Sequence, residues 1–277
     1  ATLAASLADQ DPTADPTGAW AAAGTTPGIA DATDPSRHLA EVRRAERRFF
    51  TAMAVGILVL ALAGFARTYF LRPVLAAPAP PLPALTPLIH LHSLLFTAWV
   101  VLFLVQVRLV AAKRIALHRR LGVGGAVLAA GMVGLGTLTA IHGAVRGVAP
   151  FGMDPRRFLI VPLFAVVLFA LFAIAGILAR RDPQSHKRFM LLATIALLPP
   201  AIARWVLLLG LGPPVVFAVA ALLLVPLVVW DLRTLRRLHP VTLWAGSLLL
   251  ISGPLRLALS RSDAWLAIAD RLMDGSK

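Results

Sequence analysis

The stretch at residues 158–178, FLIVPLFAVVLFALFAIAGIL, decides the fold, because it is apolar throughout and contains no charged side chain. A helix needs about 20 mostly apolar residues to cross the hydrocarbon core of a bilayer. Six more largely apolar runs flank this stretch, and they are residues 49–65, 88–110, 121–141, 189–211, 213–230 and 241–259. The sequence therefore predicts an all-α fold, a polytopic transmembrane helix bundle of about seven spans.

The composition agrees with a membrane protein. Hydrophobic residues make up 58% of the 277 residues, charged residues make up 14%, and the mean hydropathy is +0.80. Soluble domains usually contain about 25% charged residues. The chain has no cysteine, which excludes disulfides, thiolate catalysis and cysteine-held iron–sulfur clusters. Any redox chemistry would therefore need a bound cofactor.

Basic residues favour one set of loops, which the positive-inside rule assigns to the cytoplasm. That set holds Arg37, Arg43, Arg44, Arg47, Arg48, Lys113, Arg114, Arg119, Arg120, Arg180, Arg181, Lys187, Arg188, Arg233, Arg236 and Arg237. The opposite set holds Arg67, Arg72, Arg146, Arg156, Arg157, Arg256, Arg261, Arg271 and Lys277. We therefore expect a multi-pass protein of the inner (cytoplasmic) membrane, with its N-terminus in the cytoplasm and its C-terminus in the periplasm.

The net charge of +14 fits a cytoplasmic collar that binds anionic lipid headgroups. Membrane lipids are the expected partners, and other membrane subunits are possible partners as well. A nucleic-acid partner is not expected, because the basic residues are spread over loops between spans.

The chain is expected to have three parts. Residues 1–34 lack apolar periodicity and are predicted to be disordered. Residues 35–260 form the seven-span domain, with the spans within residues 88–211 as its core. Residues 261–277 have apolar side chains at helical spacing and predict an amphipathic tail on the outer interface. Helices are expected to begin at the Asp-Pro pairs 34–35, 154–155 and 182–183, where Asp caps the helix and Pro suits its first turn.

Glycines are concentrated in the third span, at positions 122, 124, 125, 131, 134 and 136. Small residues let membrane helices approach closely. We therefore expect the third span to be central in the bundle.

Two histidines head basic clusters at the starts of spans three and five: His118-Arg119-Arg120-Leu121 and His186-Lys187-Arg188-Phe189. A helix N-terminus and neighbouring cations disfavour imidazolium, and neutral imidazole is the form that binds a metal or haem iron. His118 and His186 are therefore candidate cofactor ligands. The alternative is that both belong to the lipid-binding collar, and the positive-inside rule already accounts for the arginines and the lysine beside them.

Four further candidates lie toward the outer face. His90 and His92 begin span two, His142 ends span three, and Arg204 lies in the outer half of span five. An arginine inside a span normally has a partner, and no acidic residue occupies an outer half-span. An anionic ligand such as a lipid phosphate or a haem propionate would neutralise Arg204. The alternative is that its side chain extends to the outer interface.

His118 and His142 are separated on one helix by roughly 36 Å, which places one histidine near each membrane face. Paired with His186, His118 could bind one b-type haem at the inner face. Paired with His90 or His92, His142 could bind a second haem at the outer face. The three outer histidines could also bind a divalent metal, but no carboxylate accompanies them, so no metal site is predicted.

Several of these residues form a recognisable pattern. Gln106-Val107-Arg108, His118-Arg119-Arg120-Leu121-Gly122, residues 182–190 (DPQSHKRFM) and Arg204 resemble the DUF2306 family of predicted bacterial membrane proteins. The resemblance covers residues 88–206, or four of the seven spans, and implies that His118, Gly122, His186 and Arg204 matter for function. There is a looser similarity to cytochrome b561-type proteins, which place histidines at the ends of a four-helix core. That similarity implies haem b, although span four of this chain has no histidine.

Two functions of different classes follow from the sequence. The first is b-type haem-binding membrane electron transfer. The alternative is a non-enzymatic role, either in lipid binding or as an accessory subunit of a larger membrane complex. Apart from Asp231 at the inner end of span six, acidic residues avoid the spans, which argues against cation transport and proton pumping.

Overall fold

Within the residues that the structure describes, seven helical segments are long and apolar enough to cross a membrane, which confirms the predicted fold class. The computed structural model describes residues 35–75 and 83–275, and every regular element within them is helical. The predicted disorder of residues 1–34 lies outside these described residues. The chain divides into two compact units, Ala1–Arg44 and Ala45–Lys277, and every site described below lies in the second.

The first three spans are continuous helices, whereas later spans are divided. The helices are α1 (Pro35–Phe65, extended by a π-helical turn at Ala66–Phe70), α2 (Pro87–Ala111), α3 (Ile115–Val145), α4 (Pro155–Phe158), α5 (Ile160–Leu178), α6 (Pro183–Ala196), α7 (Pro199–Leu208), α8 (Pro213–Leu222), α9 (Val225–Leu235), α10 (Pro240–Leu259) and α11 (Asp263–Asp274). Span four comprises α4 and α5, span five comprises α6 and α7, and span six comprises α8 and α9.

Two of the three predicted Asp-Pro pairs, at 154–155 and 182–183, begin helices α4 and α6, whereas Asp34 of the third pair lies outside the described residues. The Asp182 carboxylate accepts a hydrogen bond from the Gln184 backbone N–H at 3.0 Å. The Asp154 carboxylate caps α4 in the same way, by accepting a hydrogen bond from the Arg156 backbone N–H at 2.8 Å. A hydrogen bond from Ser185 holds the pKa of Asp182 below its usual value. The carboxylate is therefore ionised at neutral pH, the form that stabilises a helix N-terminus.

Two spans are interrupted near prolines. Proline has no backbone N–H, so Pro199 and Pro200 cannot donate to the carbonyls one turn earlier, and span five breaks there. Span six breaks just before Pro226. In contrast, Pro254 lies inside the continuous helix α10. Such breaks are tolerated in a membrane where neighbouring helices or a cavity surround the freed backbone.

The core lies around spans four and five, which are the most buried of the seven. Helix α5 packs against α3 and α6, and α10 packs against both α5 and α6. Phe169 and Phe172 of α5 and Leu191, Leu192 and Ile195 of α6 are buried there. The contacts of α10 extend the core beyond residues 88–211 to span seven.

Helix α3 is not central, contrary to the expectation from its glycines. Val123 and Val127 on its outer side are 69% and 71% exposed. Gly125 does permit close contact with Leu102, but a Cβ at Gly124 would meet nothing within 4 Å. Small residues allow one face to approach a neighbour, but they do not supply the side-chain volume that buries a helix on all sides.

Candidate functional site

His118 and His186 meet at the end of the bundle where α3 and α6 begin. Their ring centroids lie 6.2 Å apart, and the rings are nearly perpendicular, at 88°. Both rings are half-buried. The two histidines singled out from the sequence therefore face each other, although 67 positions of chain lie between them.

A backbone carbonyl of the neighbouring helix fixes the orientation of the His186 ring. Its Nδ1 lies 2.7 Å from the Gly176 carbonyl oxygen on α5. A carbonyl can only accept, so Nδ1 carries the proton and the lone pair is on Nε2. Gly176 also lets α6 pack closely against α5, because a Cβ there would lie 2.6 Å from the Met190 methyl carbon.

His118 lies beside a second group of polar atoms. Its ring interacts with the backbone of Gln106 on α2. Within the described residues, His118 Nδ1 and Gln106 Oε1 are buried and have no hydrogen-bond partner. Buried polar atoms are nearly always paired, so these two atoms mark a place where a further group can bind.

A buried ion pair next to the histidines escaped the sequence analysis. Arg188 of α6 pairs with Asp231 of α9, and these side chains are 1% and 0% exposed. Arg188 Nη1 also donates to the backbone carbonyl and the side-chain Oε1 of Gln184, at 3.0 and 2.8 Å. The other carboxylate oxygen of Asp231 accepts the His239 backbone N–H at 3.1 Å. The only available sequence signal was Asp231 itself, an acidic residue inside a span.

Lys187 makes the corresponding connection to the first span. Its ammonium pairs with Glu46 of α1 and lies 4.9 Å from the ring centroid of Phe50. Gln184 also donates to Glu46, at 3.2 Å. The explanation of Lys187 and Arg188 as residues of a headgroup collar is therefore wrong for Arg188, which is buried, and incomplete for Lys187, which has a protein partner.

His239 completes this end of the bundle as a helix cap. Burial lowers the pKa of His239, and the nearby Arg188 guanidinium lowers it further. The neutral ring is the form that can accept a hydrogen bond, and its Nδ1 accepts the Val241 backbone N–H at 3.2 Å. The imidazole thereby caps the start of α10.

The three outer histidines have separate surroundings. His90 Nδ1 lies 3.1 Å from the Tyr69 hydroxyl. His92 stacks on Phe96 at a centroid distance of 4.1 Å, and His142 has a buried Nε2 without a hydrogen-bond partner in the described residues. No ring contact joins His142 to His90 or His92 in the described part of the chain. The outer pair expected from the sequence is therefore not formed by direct ring contact.

In the described part of the chain, Arg204 has neutral protein partners. Its Nε donates to Thr68 Oγ1 at 2.8 Å, Nη1 donates to the Pro200 carbonyl at 2.6 Å, and the guanidinium lies 3.9 Å from the ring centroid of Phe65. It is also near enough to His92 for the two groups to interact electrostatically. The end of α1 and the break in span five therefore hold the arginine without neutralising its charge.

Seven apolar helices with buried polar clusters near their ends define a multi-pass helical membrane protein. Comparison with known proteins adds no narrower assignment, since no family model, no curated protein and no solved structure matches this chain. The similarities to DUF2306 and cytochrome b561-type proteins stay predictions.

Replacing Asp231 by alanine should lower the free energy of unfolding by about 3–5 kcal/mol, because it leaves the buried Arg188 charge without a partner. R156A is the matched control: it breaks the exposed Arg156–Asp154 pair and should cost less than about 1 kcal/mol. Unfolding in one detergent measures both variants. Equal losses for D231A and R156A would contradict the structural role of the buried pair.

Proposed function

We propose that the protein is a b-type haem protein of membrane electron transfer, in which His118 and His186 would hold the haem iron. The observation that carries this proposal is the centroid distance of 6.2 Å between the rings. Two metal–nitrogen bonds of about 2 Å each, with the half-width of each ring added, require a separation of roughly 6 Å. The spacing is therefore what one iron between two imidazoles needs.

The hydrogen bond of His186 supports the same role. Histidine ligands usually donate their second ring N–H to a carbonyl or carboxylate, which fixes the tautomer and the ring orientation. His186 does so through Nδ1 to Gly176. The Nδ1 of His118 is buried, has no hydrogen-bond partner among the described residues, and is available as a ligand atom.

The number of ligands favours haem over a bare metal ion. Among the described residues, no third histidine, aspartate or glutamate joins the pair in a metal-binding group. A structural or catalytic zinc ion takes three or four protein ligands, whereas haem iron takes its axial ligands from the protein and four nitrogens from the macrocycle. Bound haem would supply one-electron redox chemistry. The chain's part is to hold the two imidazoles in place and to shield them among α2, α3, α5 and α6.

The visible spectrum of the purified protein tests this proposal. The native protein should show a Soret band, and H118A and H186A should each lower the haem-to-protein ratio at least about tenfold, because each removes an axial ligand. R119A is the matched control, since Arg119 is the exposed neighbour of His118 and should retain the band. A native protein that folds without colour when haem is supplied would rule out the proposal.

For localisation, we propose the inner membrane, with the N-terminus in the cytoplasm and the C-terminus in the periplasm. The support is the excess of Lys and Arg at the end of the bundle where α3, α6 and α10 begin. Glu46 and Asp231 pair with Lys187 and Arg188 at this end. These pairs do not alter the proposal, because acidic residues contribute little to the orientation of a protein in the membrane.

Single cysteines test the orientation, since the native chain contains none and serves as the blank. Arg237 and Arg261 are both exposed and lie at opposite ends of the bundle. A membrane-impermeant maleimide applied from the periplasmic side should label R261C but label R237C only after the membrane is permeabilised. The reverse pattern would invert the proposed topology.

A second candidate, non-enzymatic lipid binding, has one observation in its favour. Among the described residues, the hydrogen bonds of Arg204 go to neutral groups, so its charge can still attract a lipid phosphate. R204Q should then lower the phospholipid that copurifies with the protein, while R261Q, the control at an exposed arginine, should not. Unchanged lipid content in R204Q would argue against this candidate.

A further inference from the structure

Arg256 lies in the interior of the bundle, although its position near the end of span seven predicts a residue of the outer loops. It belongs to α10 and is 1% exposed. Its guanidinium carbon lies 5.3 Å from the ring centroid of Phe164 on α5 and 5.4 Å from that of Phe217 on α8. The assignment of Arg256 to the outer loops is therefore wrong.

The partners of Arg256 leave its charge uncompensated. Nη2 donates to Ser252 Oγ at 2.8 Å, and Nη1 donates to the Val161 carbonyl at 3.4 Å. The Nε atom is buried and has no hydrogen-bond partner in the described residues. Nor does any acidic side chain of the described ranges form an ion pair with Arg256. A buried charge without a counter-charge is costly. The buried Arg188 at the opposite end of the bundle has such a counter-charge in Asp231.

Arg256 and Ser252 line a cavity of about 20 Å³. Pro199, at the start of α7, and Leu224, at the break in span six, also line it. One water needs roughly 10–15 Å³ by the same measure, so the cavity admits one small species. In membrane proteins, interrupted helices surround cavities and ion sites. Two interrupted spans and one buried cation thus meet at a single small cavity.

We propose that this cavity is an anion site in which Arg256 binds one chloride-sized monovalent anion. The anion would supply the negative charge that Asp231 supplies to Arg188, and it would accept the free Nε–H. The aromatic rings of Phe164 and Phe217 attract the Arg256 guanidinium but do not cancel its charge. The site is independent of the histidine pair, which lies at the other end of the bundle.

Thermal unfolding of the full-length protein in sodium chloride and in sodium gluconate, at equal ionic strength, tests the proposal. Chloride should raise the unfolding midpoint of the native protein in a saturable manner, by about 2–4 °C. R256Q removes the charge and should abolish this rise, whereas R256K should keep part of it. R261Q removes an exposed arginine five positions further along the chain and should respond as the native protein does.

Two results would overturn the proposal: an equal midpoint in both salts for the native protein, or an unchanged chloride response in R256Q. If R256Q does not fold, the width of the ³⁵Cl NMR signal in the presence of the native protein tests whether chloride binds. Specific binding should broaden the chloride signal beyond that of a buffer blank, and bromide should compete it away. No excess broadening would show that water alone occupies the cavity.

Discussion

The cost of burying charge in a low-dielectric interior constrains this structure more than any other interaction. At one end, Arg188 pairs with Asp231 and Lys187 pairs with Glu46. These pairs join span five to spans six and one. A buried ion pair adds little net stability compared with an apolar contact, but loss of either partner is severe. The buried Arg188–Asp231 pair therefore connects α6 to α9 at this end, one turn or less from His186 along α6.

Three consecutive residues of α6 contact four different helices. Successive residues on an α-helix point about 100° apart. His186 contacts α5 and α3, Lys187 contacts α1, and Arg188 contacts α9. In the sequence these residues form one basic cluster at a helix start. In the structure they are three separate connections, and only the first offers a ligand atom. This geometry separates the candidate redox site from the ion pairs that hold it in place.

Sequence reasoning succeeded where the signal was local. Hydropathy defines each span on its own, and the helix caps at Asp154 and Asp182 depend on residues two positions away. The pairing of Arg188 with Asp231, 43 positions apart, depends on which helices become neighbours. The depth of Arg256 was missed for a related reason. Loop counting assigns a cation to the nearest span end, although α10 carries this one into the bundle.

The break at Pro199-Pro200 has a mechanical consequence. A continuous helix transmits tilt and rotation along its ladder of backbone hydrogen bonds, and two successive prolines remove two donors from that ladder. His186, Lys187 and Arg188 lie before the break, and Arg204 lies after it. Span five therefore consists of two separate helices, α6 and α7. A small change in the orientation of α7 around Arg204 can therefore occur at the break without changing the 6.2 Å distance between the ring centroids of His118 and His186.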